Sequence, residues 1–208
     1  MLLRALADTG YFDHDARTGM YVPSVRVLLA TEWIGEQLFS EQSLLRLMER
    51  VHRATGHNVM IGVQQGVHVR YLHVLHATRV DRFVTKTGSL RPLFRSAAGK
   101  VLLTVNTERE IAPLLRRANA METDPVLRLT LEEVLQERER TRRNGYALSL
   151  GTLVPGAAGL AILLPVPRGT KPMTLGIGGP TADVVRDKDD LLRVLNEAVA
   201  PMRQATAR

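Results

Sequence analysis

The chain has 208 residues, 45% of them hydrophobic and 24% charged, proportions of a globular protein with one substantial core and room for a small satellite unit. It has no cysteine, which excludes disulfide scaffolds, thiolate zinc or iron–sulfur sites and cysteine nucleophiles, and which fits a reducing, cytoplasmic setting. A formal net charge of +7 suits an anionic partner, either nucleic acid or a small acid.

Met1 to Asp8 has helical spacing over only about two turns, too short to be stable alone, and Gly10 supplies a stop. Polar residues and turn formers follow Met1 to Leu6 from Asp8 onward, so no secretory signal is expected. Tyr11-Phe12 and Tyr21-Val22 flank a polar turn ending at Gly19, the pattern of a hairpin. On the residues alone it reads first as a simple surface hairpin; the other reading is the wing of a winged helix in which Arg17 meets a phosphate. Ser24 is a credible N-cap for a helix through Val25, Leu29 and Trp33. Trp33, Ile34, Leu38 and Phe39 give this linker more apolar surface than the small N-terminal unit can cover, so either a neighbouring domain or second subunit buries it or it is one ordinary core helix. A second helix is predicted from about Ser40 to Thr55.

From Asn58 the period changes to two. Strands are predicted over Asn58–Val63 and Val67–His76, with a third over Asp81–Lys86. Helices follow over Ser96–Val105, Thr107–Ala120 and Thr130–Asn144, the last opened by the Thr130…Glu133 capping box and stopped by Gly145. Strands are predicted at Tyr146–Leu153, Gly159–Leu164 and Met173–Gly178, and a closing helix over Lys188–Met202. The longest apolar stretch, Ala157 to Val166, is interrupted by Gly159 and Pro165 and is too short to cross a bilayer, so no membrane partner is expected. The sum is an α+β fold, an antiparallel sheet with helices packed against it, preceded by a short N-terminal unit and a linker helix.

Candidate chemistry is sparse. The six histidines lack the spacing of a helical metal motif; His73 and His76 alternate across a strand, and His68 and His73 differ in parity. No metal and no cofactor are expected. No serine sits in a nucleophile elbow, and Gly176-Ile-Gly-Gly-Pro180 lacks the spacing and following helix of a phosphate cradle, so no enzyme is expected. The segment of greatest interest is Arg95-Ser-Ala-Ala-Gly-Lys100. Ser96 caps a helix whose first amides are free to receive a carboxylate above small residues, while Lys100 either assists or points to solvent. A second small-residue region, Ser149 to Thr152 with Pro155 to Gly159, is a candidate for the opposite wall.

These pieces, in this order, resemble the IclR family of bacterial transcriptional regulators. The likeness begins with the end of a recognition helix, Leu2 to Asp8, and the wing Gly10-Tyr-Phe-Asp-His-Asp-Ala-Arg-Thr-Gly-Met-Tyr21. It continues through Thr55-Gly56, the Gly88…Pro92…Ser96-Ala-Ala-Gly-Lys100 block and Leu131…Leu135…Arg138…Arg142…Gly145-Tyr146. The resemblance implies residues 1–23 as the end of a winged helix-turn-helix domain, 24–38 as linker helix and 39–208 as effector-binding and oligomerisation domain. It implies a homodimer or dimer of dimers that binds operator DNA and senses a small organic acid. Ser96, Ala97, Ala98 and Gly99 would face the effector, with Ser149, Thr152, Gly159, Leu160 and Ala161 opposite; Arg4, His14, Arg17 and Thr18 would meet DNA. The likeness starts inside the recognition helix, and a wing with two helical turns is no stable platform for major-groove reading, so specific DNA binding by these 208 residues alone is not expected. The alternative is a non-DNA-binding metabolite-binding protein or mixed-oligomer partner derived from such a regulator. Family members commonly carry an acidic residue near Thr152, a small residue near Gly159 and a proline soon after; here Gly159-Leu-Ala-Ile-Leu-Leu-Pro165 is more apolar, which implies a different or bulkier effector, or a lost one.

Overall fold

The computed structural model describes residues 2–24, 26–27, 44–78, 85–167 and 169–206, which fall into two compact units, Met1–Leu47 and Met48–Arg208. In the first, helix α1 (Leu2–Asp8) leads into an antiparallel hairpin of β1 (Phe12–Asp15) and β2 (Met20–Pro23). Gly10 ends α1 in the left-handed region at φ 78°, and the Tyr11 amide donates back to the Leu6 carbonyl at 2.8 Å. The Asp15 carboxylate organises the turn by accepting from the Arg17 amide at 2.9 Å and the Thr18 hydroxyl at 2.8 Å. The hairpin base is pinned by the Ser24 hydroxyl, which donates to the Gly10 carbonyl at 2.6 Å, and by Arg26, which donates to the Thr9 carbonyl and lies over the Tyr11 ring. No side chain of α1 is buried, and Leu2 is 74% exposed. Apart from Ser24, Arg26 and Val27, the expected linker helix over 24–38, with Trp33, Ile34 and Leu38, lies outside the described residues.

The second unit follows α2 (Leu44–Thr55) with β3 (Asn58–Gln65), β4 (His68–Leu75), β5 (Leu90–Pro92), α3 (Ala97–Leu103), α4 (Glu108–Met121) and α5 (Leu131–Asn144). It closes with β6 (Tyr146–Leu150), β7 (Ala157–Leu163), β8 (Met173–Pro180), α6 (Thr181–Arg186) and α7 (Lys188–Thr206). The six strands form one sheet in the order β5-β4-β3-β8-β7-β6, antiparallel throughout. The fold is therefore α+β, with α3 laid across one face against β7, β6 and β8. The predicted strand Asp81–Lys86 lies largely outside the described residues.

Local chemistry sets the helix ends. Thr130 and Glu133 form the expected capping box, and Gly145 closes α5 at φ 76°. Two elements escape the sequence periodicity. Strand β5 is three residues long and ends on Pro92, which an edge strand tolerates. Helix α6 follows the Gly176–Pro180 segment directly, correcting the expectation that no helix follows it. Val184 and Val185 disfavour a helix, but burial of Val184 and the 3.0 Å Arg186–Asp183 pair compensate.

Strand parity is corrected once. The β3–β4 register shifts between Ile61 and Gly62, so that Ile61 opposes His73 while Gly62 opposes Tyr71. This bulge at Leu72 places His68 and His73 on the same side, where simple alternation separates them. It also keeps Val69, Tyr71 and Val74 together on the side covered by α3, in the core cluster that includes Leu93, Phe94, Val101 and Leu102.

Candidate functional site

The register of the sheet fixes which side chains meet under α3. One row across it is Met60, Gly176, Ala161 and Ala147; the next is Asn58, Gly178, Gly159 and Ser149. Residues paired across antiparallel strands share a face, so two rows of small residues leave a hollow at the centre of the sheet. Arg91, opposite Val69 on β5, belongs to the same face at one end, with Tyr71. The N-terminal turn of α3 roofs the hollow and leaves a partly open cavity of about 110 Å³.

The roof is built by the Ser96 cap. Ser96 is 2% exposed, and its hydroxyl oxygen accepts from the Gly99 amide at 3.1 Å. Gly99 is obligatory for packing, since a Cβ on it would fall 1.9 Å from the Leu93 carbonyl oxygen. The Ala97 and Ala98 amides, at the start of α3, have no acceptor among the described residues. Ala97 faces Gly159, whose absent Cβ would meet the Ala97 methyl at 3.7 Å and the Ser149 hydroxyl at 3.9 Å.

Of the residues expected at the effector, Ser96, Ala97, Ala98, Ser149, Gly159, Leu160 and Ala161 line this cavity. Leu160 has the opposite parity to Gly159 and Ala161 along β7. Gly99 and Thr152 do not line it: Gly99 is spent against Leu93, and Thr152 borders a separate cavity of about 430 Å³ with Lys100, Glu137 and Arg138. Lys100 turns away from the smaller cavity, pairing with Glu137 at 2.9 Å and donating to the Leu148 carbonyl at 3.4 Å.

Sequence reasoning missed Arg91, Tyr71 and Met60. Arg91 is the one charged residue among the described lining residues. Its guanidinium donates to the Leu90 carbonyl at 3.0 Å and the Thr85 hydroxyl at 3.3 Å, lies 5.9 Å from the Tyr71 ring centroid, and has no carboxylate partner among the described residues. Burial pushes the Tyr71 phenol up, against a smaller opposing pull from the Arg91 charge. The phenol is neutral near pH 7, which leaves Arg91 as the one charge among the described lining residues. No signal in the sequence marks Arg91 as different from the other arginines; the short β5 pairing alone turns it inward.

In the first unit, Arg4 and Arg17 are exposed, His14 stacks on Tyr21 at 4.4 Å, and the Thr18 hydroxyl is engaged by Asp15. Among the described residues there is no group of three or more His, Asp or Glu placed to hold a metal, and no helix long and apolar enough to cross a membrane.

Residues 41–203 match the family model for the bacterial transcriptional regulator IclR C-terminal region. The chain belongs to the IclR family. That family is one of bacterial transcriptional regulators. Among curated relatives, the HTH-type transcriptional repressor AllR of Escherichia coli K12 is 23% identical over 141 residues, 68% of this chain and 52% of AllR. The HTH-type transcriptional regulator XynR of the same organism is 23% identical over 147 residues, 71% of this chain and 58% of XynR. The chain thus spans little more than half the length of these relatives. Of solved structures, the effector domain of IclR from Acinetobacter sp. ADP1 shares the fold with a TM-score of 0.74 at 24% identity, over 81% of this chain and 98% of that one. An IclR-family regulator from Brucella abortus gives a TM-score of 0.69 at 22% identity, over 98% and 77% of the two chains.

Proposed function

We propose that this IclR-family chain senses a small carboxylate in the cavity beneath α3 and passes its occupancy to operator DNA through a homodimer or dimer of dimers. Residues 1–23 are then the end of a winged helix-turn-helix domain, 24–38 a linker helix and 39–208 the sensing and oligomerising domain. The observation that carries the reading is Arg91, the one charged lining residue described, with no carboxylate partner among the described residues. A half-buried cation with no carboxylate partner among the described residues favours an anionic ligand, and a carboxylate accepts two of its N–H groups at once. The Ser96 hydroxyl and the Ala97 and Ala98 amides offer further donors, while Ser149, Gly159, Leu160 and Ala161 form the far wall. Gly99 acts by positioning the helix, and Thr152 lies outside the proposed site.

The ligand stabilises one of two subunit arrangements and so alters operator affinity. Arg4, His14, Arg17 and Thr18 are the proposed DNA contacts, Arg4 and Arg17 through phosphates. Helix α1, the described remnant of a recognition helix, has no buried side chain to anchor it, so specific operator binding by the 208 residues alone is not proposed. That observation also supports a second reading, a metabolite-binding or mixed-oligomer partner without direct DNA recognition.

Isothermal titration with butyrate tests the sensing role. Wild type is expected to bind, and Arg91→Gln to lose about 2–3 kcal/mol, roughly 30- to 150-fold in affinity. Equal binding by both proteins contradicts the reading.

A further inference from the structure

One side chain breaks the pattern of small residues on the cavity face. In the two central rows, Met60 is the one long apolar side chain among Gly176, Ala161, Ala147, Gly178, Gly159 and Ser149. Its Cε lies 3.0 Å from where a Cβ on Gly178 would stand and 4.0 Å from the equivalent point on Gly176. Met60 is therefore draped over the two glycines and takes up the space their missing side chains leave. It is 6% exposed, and its unbranched thioether can change rotamer at low cost.

With Met60 so placed the cavity measures about 110 Å³, below the roughly 150 Å³ of an apolar cavity that admits a benzene ring. The apolar run of β7 on its own favours a bulkier effector, but Met60 has already filled that volume.

We propose that Met60 sets the size of the acid this site accepts: lying over Gly176 and Gly178, it admits a short unbranched aliphatic carboxylate anchored at Arg91 and shuts out aromatic acids. The inference rests on the reading of this cavity as the sensing site and adds which acids enter it. Met60→Ala removes Cγ, Sδ and Cε and opens room for a ring. Gly178→Ala acts in the opposite sense. Gly178 is not in the left-handed region, so its backbone accepts alanine, but the new methyl drives the thioether into the cavity. The double variant Met60→Ala/Gly178→Ala removes the group that is driven.

The test is calorimetric titration of the whole chain with butyrate and with benzoate, with a thermal melt to check that each variant folds. Wild type is expected to prefer butyrate by about tenfold or more, and Met60→Ala to bind benzoate at least as tightly as butyrate. Gly178→Ala is expected to weaken butyrate about tenfold, with recovery in the double variant. Should Met60→Ala fail to fold, Gly178→Ala and the milder Met60→Val decide. If wild type prefers benzoate, or if selectivity is unchanged in Met60→Ala and butyrate binding unchanged in Gly178→Ala, the size role of Met60 is overturned while the cavity remains a sensing site. If neither acid binds any of these proteins, the sensing reading fails and this inference with it.

Discussion

Gly99→Ala adds a single methyl, and its effect on α3 can be worked from the packing. The new Cβ falls 1.9 Å from the Leu93 carbonyl oxygen, 2.6 Å from its carbonyl carbon and 2.7 Å from its Cα. All three are main-chain atoms of a residue with 0% exposure, so no rotamer change relieves the clash. A carbon–oxygen contact needs about 3.3 Å, so α3 must withdraw from Leu93 by more than about 1 Å. Overpacking of this kind typically costs 1–3 kcal/mol, and a main-chain obstacle argues for about 3. For a unit of this size that lowers Tm by roughly 6–12 °C. The control is Gly159→Ala, whose methyl would meet nothing nearer than 3.7 Å. It is expected to change stability by less than about 1 kcal/mol while reducing space for ligand. Thermal melts followed by circular dichroism measure both. A Gly99→Ala protein melting within about 2 °C of wild type would refute the reasoning.

Two further outcomes follow from the helix ends. Gly145→Ala, at φ 76° with nothing within 4 Å, is expected to cost about 1–2 kcal/mol through backbone strain alone; an unchanged urea midpoint would contradict it. The Thr130 amide and hydroxyl hold the Glu133 carboxyl below its usual range, and those of Thr107 do the same for Glu110. Because the folded values are depressed, their stabilisation is present above the unfolded value of about 4.3 and is lost as pH falls through the folded one. The urea midpoint is expected to drop on acidification below about pH 5, and to drop less in Glu110→Gln/Glu133→Gln. Parallel pH curves would count against the caps.

Features encoded within a few residues of each other could be read from the sequence. Thr130, Glu133 and Gly145 bracket α5 by local hydrogen bonding and one left-handed position, and Ser96 marks the start of α3 in the same way. The cavity's small-residue walls were legible because Ala97 and Gly159 signal close approach. What stayed hidden depends on partners far away in the chain. The bulge at Leu72 changes which histidines share a face, and only the pairing with Ile61 and Gly62 reveals it. Arg91 enters the cavity because three residues of β5 pair with β4. Met60 reads as an ordinary core residue until Gly176 and Gly178 are found beneath it. Thr152 stands two residues beyond the end of β6, and the loop carries it to another cavity beside Lys100.

The most direct test of the sensing claim is a crystal structure of the chain grown with butyrate. The account predicts the carboxylate within hydrogen-bond distance of the Arg91 guanidinium, its alkyl chain running along Gly159 and Ala161 beneath Ala97, and Met60 still over Gly178. Butyrate bound in the larger cavity beside Lys100 and Thr152, with the space under α3 unoccupied, would contradict it.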